Sequence, residues 1–134
     1  MKILLIEDDK FFRDFYAFKL KEKGLDVAVA GDGVEGLQKI ASFQPELILL
    51  DLIMPQKDGF EVLQAMSAQN LTSVIPVLVF STLGQEKDVQ RAKDLGARDY
   101  INKSFFDFDK LFARIMELSQ ASNRPVESPA SSNT

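Results

Sequence analysis

Five short apolar runs recur along the chain, at Lys2–Glu7, Leu25–Ala30, Glu46–Asp51, Ile75–Ser81 and Arg98–Asn102. Most are continuous Ile/Leu/Val blocks without polar alternation, the pattern of strands covered on both faces. Between them the apolar positions take a helical spacing. Phe12, Phe15, Tyr16 and Leu20 form one stripe that ends at Gly24, a helix stop. Further helices are predicted from Val34 to Phe43, halted before Pro45, from Phe60 to Gln69, and from Glu86 to Leu95, closed by Gly96. A fifth runs from about Phe108 to Gln120, with Leu111, Ile115 and Leu118 on one stripe and Asp107 as its N-cap.

Strict alternation of strand and helix implies a parallel sheet with helices on both faces. Five such units predict an α/β, flavodoxin-like doubly wound fold: a five-stranded parallel sheet in the order 2-1-3-4-5, with five helices. The 134 residues make one domain, expected to span 1–121. From Ser122 to Thr134 the composition turns to Ser, Asn, Pro and Ala, a tail that cannot repay its ordering entropy and is expected to be disordered.

Composition narrows the chemistry. Cysteine and histidine are both absent, which excludes disulfides, thiolate metal sites and the Ser-His-Asp triad. Reactivity must come from carboxylates, hydroxyls and lysine. Sixteen basic against twenty acidic residues give a net charge of −4, which argues against direct contact with nucleic acid. The apolar runs are far shorter than the roughly 20 residues of a membrane span, and the start has no signal-peptide anatomy. A cytoplasmic protein without an output module is expected.

In this fold the reacting groups lie at the carboxyl ends of the strands, where the strand order reverses. Strand 1 ends in Glu7-Asp8-Asp9 and its neighbour, strand 3, in Asp51; strand 4 ends in Ser81-Thr82 and strand 5 in Lys103. Two carboxylates about 5 Å apart repel by roughly 3 kcal/mol at an effective dielectric of 20, so a fold keeps such a cluster if a cation occupies it or a proton is shared. An oxygen-only site suits Mg²⁺. Acids, a hydroxyl and an amine on one rim are the equipment of phosphoryl transfer, with Asp51 the candidate nucleophile and Lys103 a point charge on the phosphoryl group.

The chain resembles a response-regulator receiver domain of the stand-alone, chemotaxis-regulator type. The stretches that carry the resemblance are Ile3-Leu4-Leu5-Ile6-Glu7-Asp8-Asp9, Leu47-Ile48-Leu49-Leu50-Asp51 continuing to Asp58-Gly59, Val77-Leu78-Val79-Phe80-Ser81-Thr82, and Gly96-Ala97-Arg98-Asp99-Tyr100-Ile101-Asn102-Lys103. The resemblance implies that Asp51 is the phospho-acceptor and that Mg²⁺ is held by Glu7, Asp8, Asp51 and the carbonyl of Ile53. It also implies Ser81 as the switch hydroxyl, with Thr82 a second claimant, Lys103 as the catalytic lysine and Tyr100 as the switch aromatic. The phosphoryl donor would be a sensor histidine kinase or phosphotransfer protein. The face of the fourth helix, fifth strand and fifth helix, about residues 85–120, would meet a downstream protein or, on phosphorylation, a second copy. Such a chain is no enzyme beyond its own phosphorylation and dephosphorylation.

Three features depart from the family pattern. Ser104 stands where proline usually follows the lysine, so a trans 103–104 bond is expected. The stretch Phe105-Phe106-Asp107-Phe108 is one residue longer than expected before the fifth helix. Ile53 and Leu83 are apolar, which predicts restricted water entry and a long-lived phosphoryl group. Two other classes stay in view: a pseudo-receiver that binds partners without phosphorylation, and an aspartate-nucleophile phosphatase, for which the acid pair would be Glu7 and Asp9. Gly31-Asp32-Gly33-Val34-Glu35-Gly36 matches a dinucleotide fingerprint on paper, but Asp32 and Glu35 would repel a pyrophosphate.

Overall fold

The computed structural model describes residues 1–54, 57–82, 84–104 and 107–123. Strands β1 (Lys2–Ile6), β2 (Asp26–Ala30), β3 (Leu47–Leu50), β4 (Val77–Ser81) and β5 (Asp99–Asn102) alternate with helices α1 (Lys10–Glu22), α2 (Gly33–Phe43), α3 (Gly59–Ala68), α4 (Glu86–Asp94) and α5 (Phe108–Asn123). The strands form one sheet in the order β2-β1-β3-β4-β5, and every recorded pairing is parallel. This is the predicted doubly wound arrangement. The central strand β3, Leu-Ile-Leu-Leu, has no solvent-exposed residue because helices cover both its faces.

Alternation along the strands sorts the core into two layers. Ile3, Leu5, Leu47, Leu49, Leu78, Phe80 and Ile101 pack under α1 and α5, against Tyr16, Leu20, Leu111, Ile115 and Leu118. Leu4, Ile6, Ile48, Leu50, Val77 and Val79 pack on the other face against α2, α3 and α4, chiefly Ile40, Phe60, Leu63, Met66 and Ala92. Fully burying one such aliphatic side chain contributes about 1.5–3 kcal/mol.

Local chemistry sets the helix ends. The Asp9 carboxylate accepts from the Phe12 amide at 3.1 Å, Asp32 from Glu35 at 2.8 Å and Asp107 from Lys110 at 2.9 Å. Asp58 and Glu61 form a reciprocal capping box on α3. Gly24 and Gly96, with φ of 86° and 109°, follow α1 and α4 in the left-handed region that halts a helix. The Gly31–Gly36 segment is a turn into α2: the Gly31 amide donates to Glu35, and a Cβ on Gly33 would lie 2.1 Å from the Lys57 carbonyl.

Two expectations need correction. Phe15 lies outside the core, 43% exposed, because the buried stripe of α1 is Tyr16, Ala17 and Leu20 and a one-residue step turns a helix by about 100°. Phe12 is only partly buried, at the edge of that stripe. At the other end, α5 continues to Asn123, two residues into the segment expected as tail. Residues 124–134 lie outside the described residues, as do Leu83 and the Phe105-Phe106 pair.

Gly59 fixes how α3 leaves the sheet. A Cβ there would lie 2.4 Å from the Asp51 carbonyl and 2.7 Å from Leu52 Cα, both backbone atoms with no freedom to yield. Gly59→Ala is expected to destabilise the protein by about 1–3 kcal/mol, the usual cost of overpacking, read from chemical denaturation.

Candidate functional site

Four strand ends deliver side chains to one rim, and the backbone ladder carries the order of the sheet past the strands themselves. The Glu7 amide donates to the Ala30 carbonyl at 3.0 Å, the Asp51 amide to Ile6 at 3.0 Å and the Lys103 amide to Ser81 at 3.0 Å. The backbone of each of these three residues is thus bonded to the neighbouring strand. Glu7, Asp51 and Lys103 also continue the parity of the α1/α5 face, following Leu5, Leu49 and Ile101.

They meet in an open cleft of about 250 Å³ lined by Glu7, Asp8, Asp9, Phe12, Asp51, Ile53, Thr82 and Lys103. One carboxylate oxygen each from Glu7, Asp8 and Asp51 lies within 4.8 Å of the others. Glu7 and Asp51 are buried and Asp8 is exposed at the mouth. The Lys103 ammonium pairs with the Glu7 carboxylate and stands 3.6 Å from Asp51 Oδ2. Its side chain is 5% exposed.

Burial pushes the Glu7 carboxyl up to about 7, with the Asp51 charge adding to the rise and the Lys103 ammonium pulling against it. With all three acids ionised, the single ammonium leaves an excess of two negative charges, the charge of one divalent cation. Oxygen-only donors this close fit Mg²⁺ better than a softer metal.

The predicted residues separate into two groups. Glu7, Asp8, Asp51, Ile53 and Lys103 come together, as the sequence led one to expect. The Ile53 side chain is half exposed at the mouth, and its amide faces Asp51 Oδ1 at 3.4 Å. Ser81 is fully buried at the end of β4 and shares the parity of Val77 and Val79, toward α2–α4. Of the hydroxyl pair it is Thr82 that lines the cleft. Tyr100, partly buried, packs against the same α2–α4 layer, and burial pushes its phenol up to about 12. Strand parity alone separates Thr82 from Ser81.

Two contributors escaped the sequence reading. Phe12 lines the cleft, and the Arg13 guanidinium donates to the Glu7 carbonyl at 3.1 Å, tying down the loop after β1. Both occupy the first turn of α1, so their places follow once Asp9 is seen to cap that helix. Beyond Lys103 the Ser104 amide donates to Asn102 Oδ1 at 2.8 Å, a turn closed by an N–H that proline lacks. No cis peptide occurs among the described residues, in line with the expected trans 103–104 bond.

A parallel doubly wound sheet with acids, hydroxyls and a lysine on its carboxyl rim defines a receiver fold. The response regulator receiver domain profile matches residues 3–116, and the chain belongs to that family. It is 39% identical over 123 residues to the DNA-binding dual master transcriptional regulator RpaA of Synechocystis, covering 92% of this chain and 51% of that protein. The chain spans about half the length of the curated relatives it matches. Among solved structures, the receiver domain of the Francisella response regulator 1452 superposes with a TM-score of 0.83 at 32% identity, covering 90% of this chain and 98% of that one. TrrA of Thermotoga maritima, solved in complex with Mg²⁺-BeF, gives 0.77 at 26% identity, covering 87% and 97%. Among the described residues no helix is long and apolar enough to cross a membrane.

The raised Glu7 carboxyl makes a signed prediction. A folded-state value above the ordinary 4.5 means that the folded chain holds this proton more tightly than the unfolded one. That stabilisation is complete below about 4.5 and is lost as pH rises through about 7. The melting midpoint of the wild type minus that of Glu7→Gln is therefore expected to fall over this window. Mg²⁺ above pH 7 should raise the wild-type midpoint and leave Glu7→Gln with a smaller response.

Proposed function

We propose that the chain is a phospho-acceptor switch in a two-component phosphorelay. Asp51 Oδ attacks the phosphorus carried on the histidine of a sensor kinase or phosphotransfer protein. The phosphorus–nitrogen bond breaks and an aspartyl phosphate forms. The observation that supports this most directly is the meeting of Asp51, Lys103 and two further carboxylates in one cleft. Glu7, Asp8, Asp51 and the Ile53 carbonyl are the residues that would hold Mg²⁺, which when bound supplies positive charge to the phosphoryl oxygens. Lys103, paired with Glu7 and 3.6 Å from Asp51 Oδ2, supplies a second positive charge beside the new oxygens.

Ser81 and Tyr100 are assigned to the switch. Both belong to the α2–α4 layer, so a hydroxyl drawn toward the phosphoryl group disturbs the packing beneath α4 and beside β5. The α4–β5–α5 face then changes its fit for a downstream protein or a second copy. The Arg114–Asp99 pair, at 2.5 Å, ties α5 to β5 within that face. The chain acts on itself and not on a free substrate, and its acidic, cysteine-free composition suits the cytoplasm and protein partners. The phosphatase alternative is disfavoured because Asp9, its required acid, caps α1 and Glu7 is paired with Lys103.

Intact-mass spectrometry after incubation with Mg²⁺ and acetyl phosphate tests the assignment. One alkali-labile phosphate per chain is expected, absent in Asp51→Asn and formed on the order of 100-fold more slowly in Lys103→Ala. No adduct on the wild type would leave only a pseudo-receiver, and turnover without accumulation would point to the phosphatase. The apolar Ile53 at the mouth offers water no hydrogen-bonding partner, so Ile53→Gln is expected to shorten the life of the phosphoprotein, followed by loss of the added mass.

A further inference from the structure

Lys103 is held by more than its carboxylates. Its ammonium lies over the Phe12 ring, 4.9 Å from the centroid, and 5.7 Å from that of Phe80. The nearly buried amine is therefore bounded by acids on one side and by aromatic rings on the other. Phe80 belongs to the core under α1, whereas Phe12 lines the cleft itself. Phe12 and Lys103 line that cleft together.

We propose that Phe12 is a positioning residue for Lys103, an assignment that rests on the phospho-acceptor reading above. The ring face attracts the ammonium through its quadrupole but offers no lone pair to hold it. The amine is confined laterally while its N–H groups stay directed to Glu7 and Asp51. When phosphoryl oxygens appear on Asp51 it can turn to them without breaking a bond to any structural acceptor on the ring side. A water-filled gap in place of the ring would supply competing acceptors.

The ring is itself braced. The Phe12 amide is bonded to the Asp9 cap, its ring stacks on Tyr16 at 6.1 Å and 15°, and Tyr16 meets Phe80 edge-on at 5.1 Å and 86°. Phe12, Tyr16 and Phe80 form a bracket that spans from the first turn of α1 to β4. A leucine at 12 would fill much of the space without the quadrupole; a tyrosine would retain it.

The test uses the full chain as wild type, Phe12→Leu and Phe12→Tyr, with Phe12→Met as a second ring-free variant should the leucine variant fold poorly. Initial phosphorylation rates are measured against acetyl phosphate concentration in Mg²⁺, and melting midpoints check folding. The ring-free variants are expected to lower the saturated rate about 3- to 30-fold, the range of a partly to fully desolvated cation–π contact, at an unchanged half-saturating donor concentration. Phe12→Tyr should restore it. In ¹³C-lysine-labelled protein the Lys103 ε-methylene protons should show an upfield ring-current shift in the wild type and in Phe12→Tyr, lost in Phe12→Leu. A ring-free variant as fast as wild type, or a tyrosine variant as slow as the leucine one, overturns the assignment. A wild type that takes up no phosphate instead overturns the phospho-acceptor reading, and the ring-current signal then still reports whether the lysine sits on the ring.

Discussion

The structure turns on the presence of a single ammonium group among buried carboxylates. Glu7 and Asp51 stand at the ends of adjacent strands, where burial strips away the water that would otherwise stabilise their charges. Repulsion at such separations is worth a few kcal/mol even at an effective dielectric of 20. Lys103, arriving from the far edge strand, offsets part of it by pairing with both. It does not offset all of it. The remaining negative charge, with Asp8 open to solvent at the mouth, keeps the cleft attractive to a small divalent cation.

That concentration of charge is tolerable only because the sheet beneath it is rigid. The ladder continues beyond Ile6, Leu50 and Asn102, so the backbone of Glu7, Asp51 and Lys103 is held by the neighbour strand. Gly59 lets α3 begin directly against the Asp51 carbonyl, and the capping box at Asp58 anchors the turn. The aliphatic core has its own function here: it places several charged side chains with little freedom to separate.

The two faces of the sheet divide the labour. Glu7, Asp51 and Lys103 share the α1/α5 parity with Phe80, which sets aromatic rings beside the amine. Ser81 and Tyr100 belong with the α2–α4 layer. The charged cluster and the pair Ser81 and Tyr100 therefore lie on opposite sides of a sheet one residue thick. The two faces share the strand backbones, so a shift of β4 would move residues of both together. The exposed phenylalanines of α1, Phe11, Phe15 and Phe18 at 73%, 43% and 61%, lie outside both layers.

Much of this was legible from the residues alone, because the signals are local. Short apolar blocks without polar alternation fit strands covered on both faces, and Asp107, Gly24 and Gly96 mark helix ends by hydrogen bonding and backbone geometry that need no distant partner. The sheet order followed from the strand–helix alternation, and with it the expectation that Glu7, Asp8, Asp51 and Lys103 would gather. Tertiary structure decided which neighbours those groups find. That Lys103 pairs with both Glu7 and Asp51, that Phe12 closes over its amine while Phe15 faces water, and that Thr82 rather than Ser81 lines the cleft depend on how α1 sits on the sheet and on where each strand's alternation ends. Those contacts join residues distant along the chain, and packing selects among several partners that the linear pattern leaves equivalent.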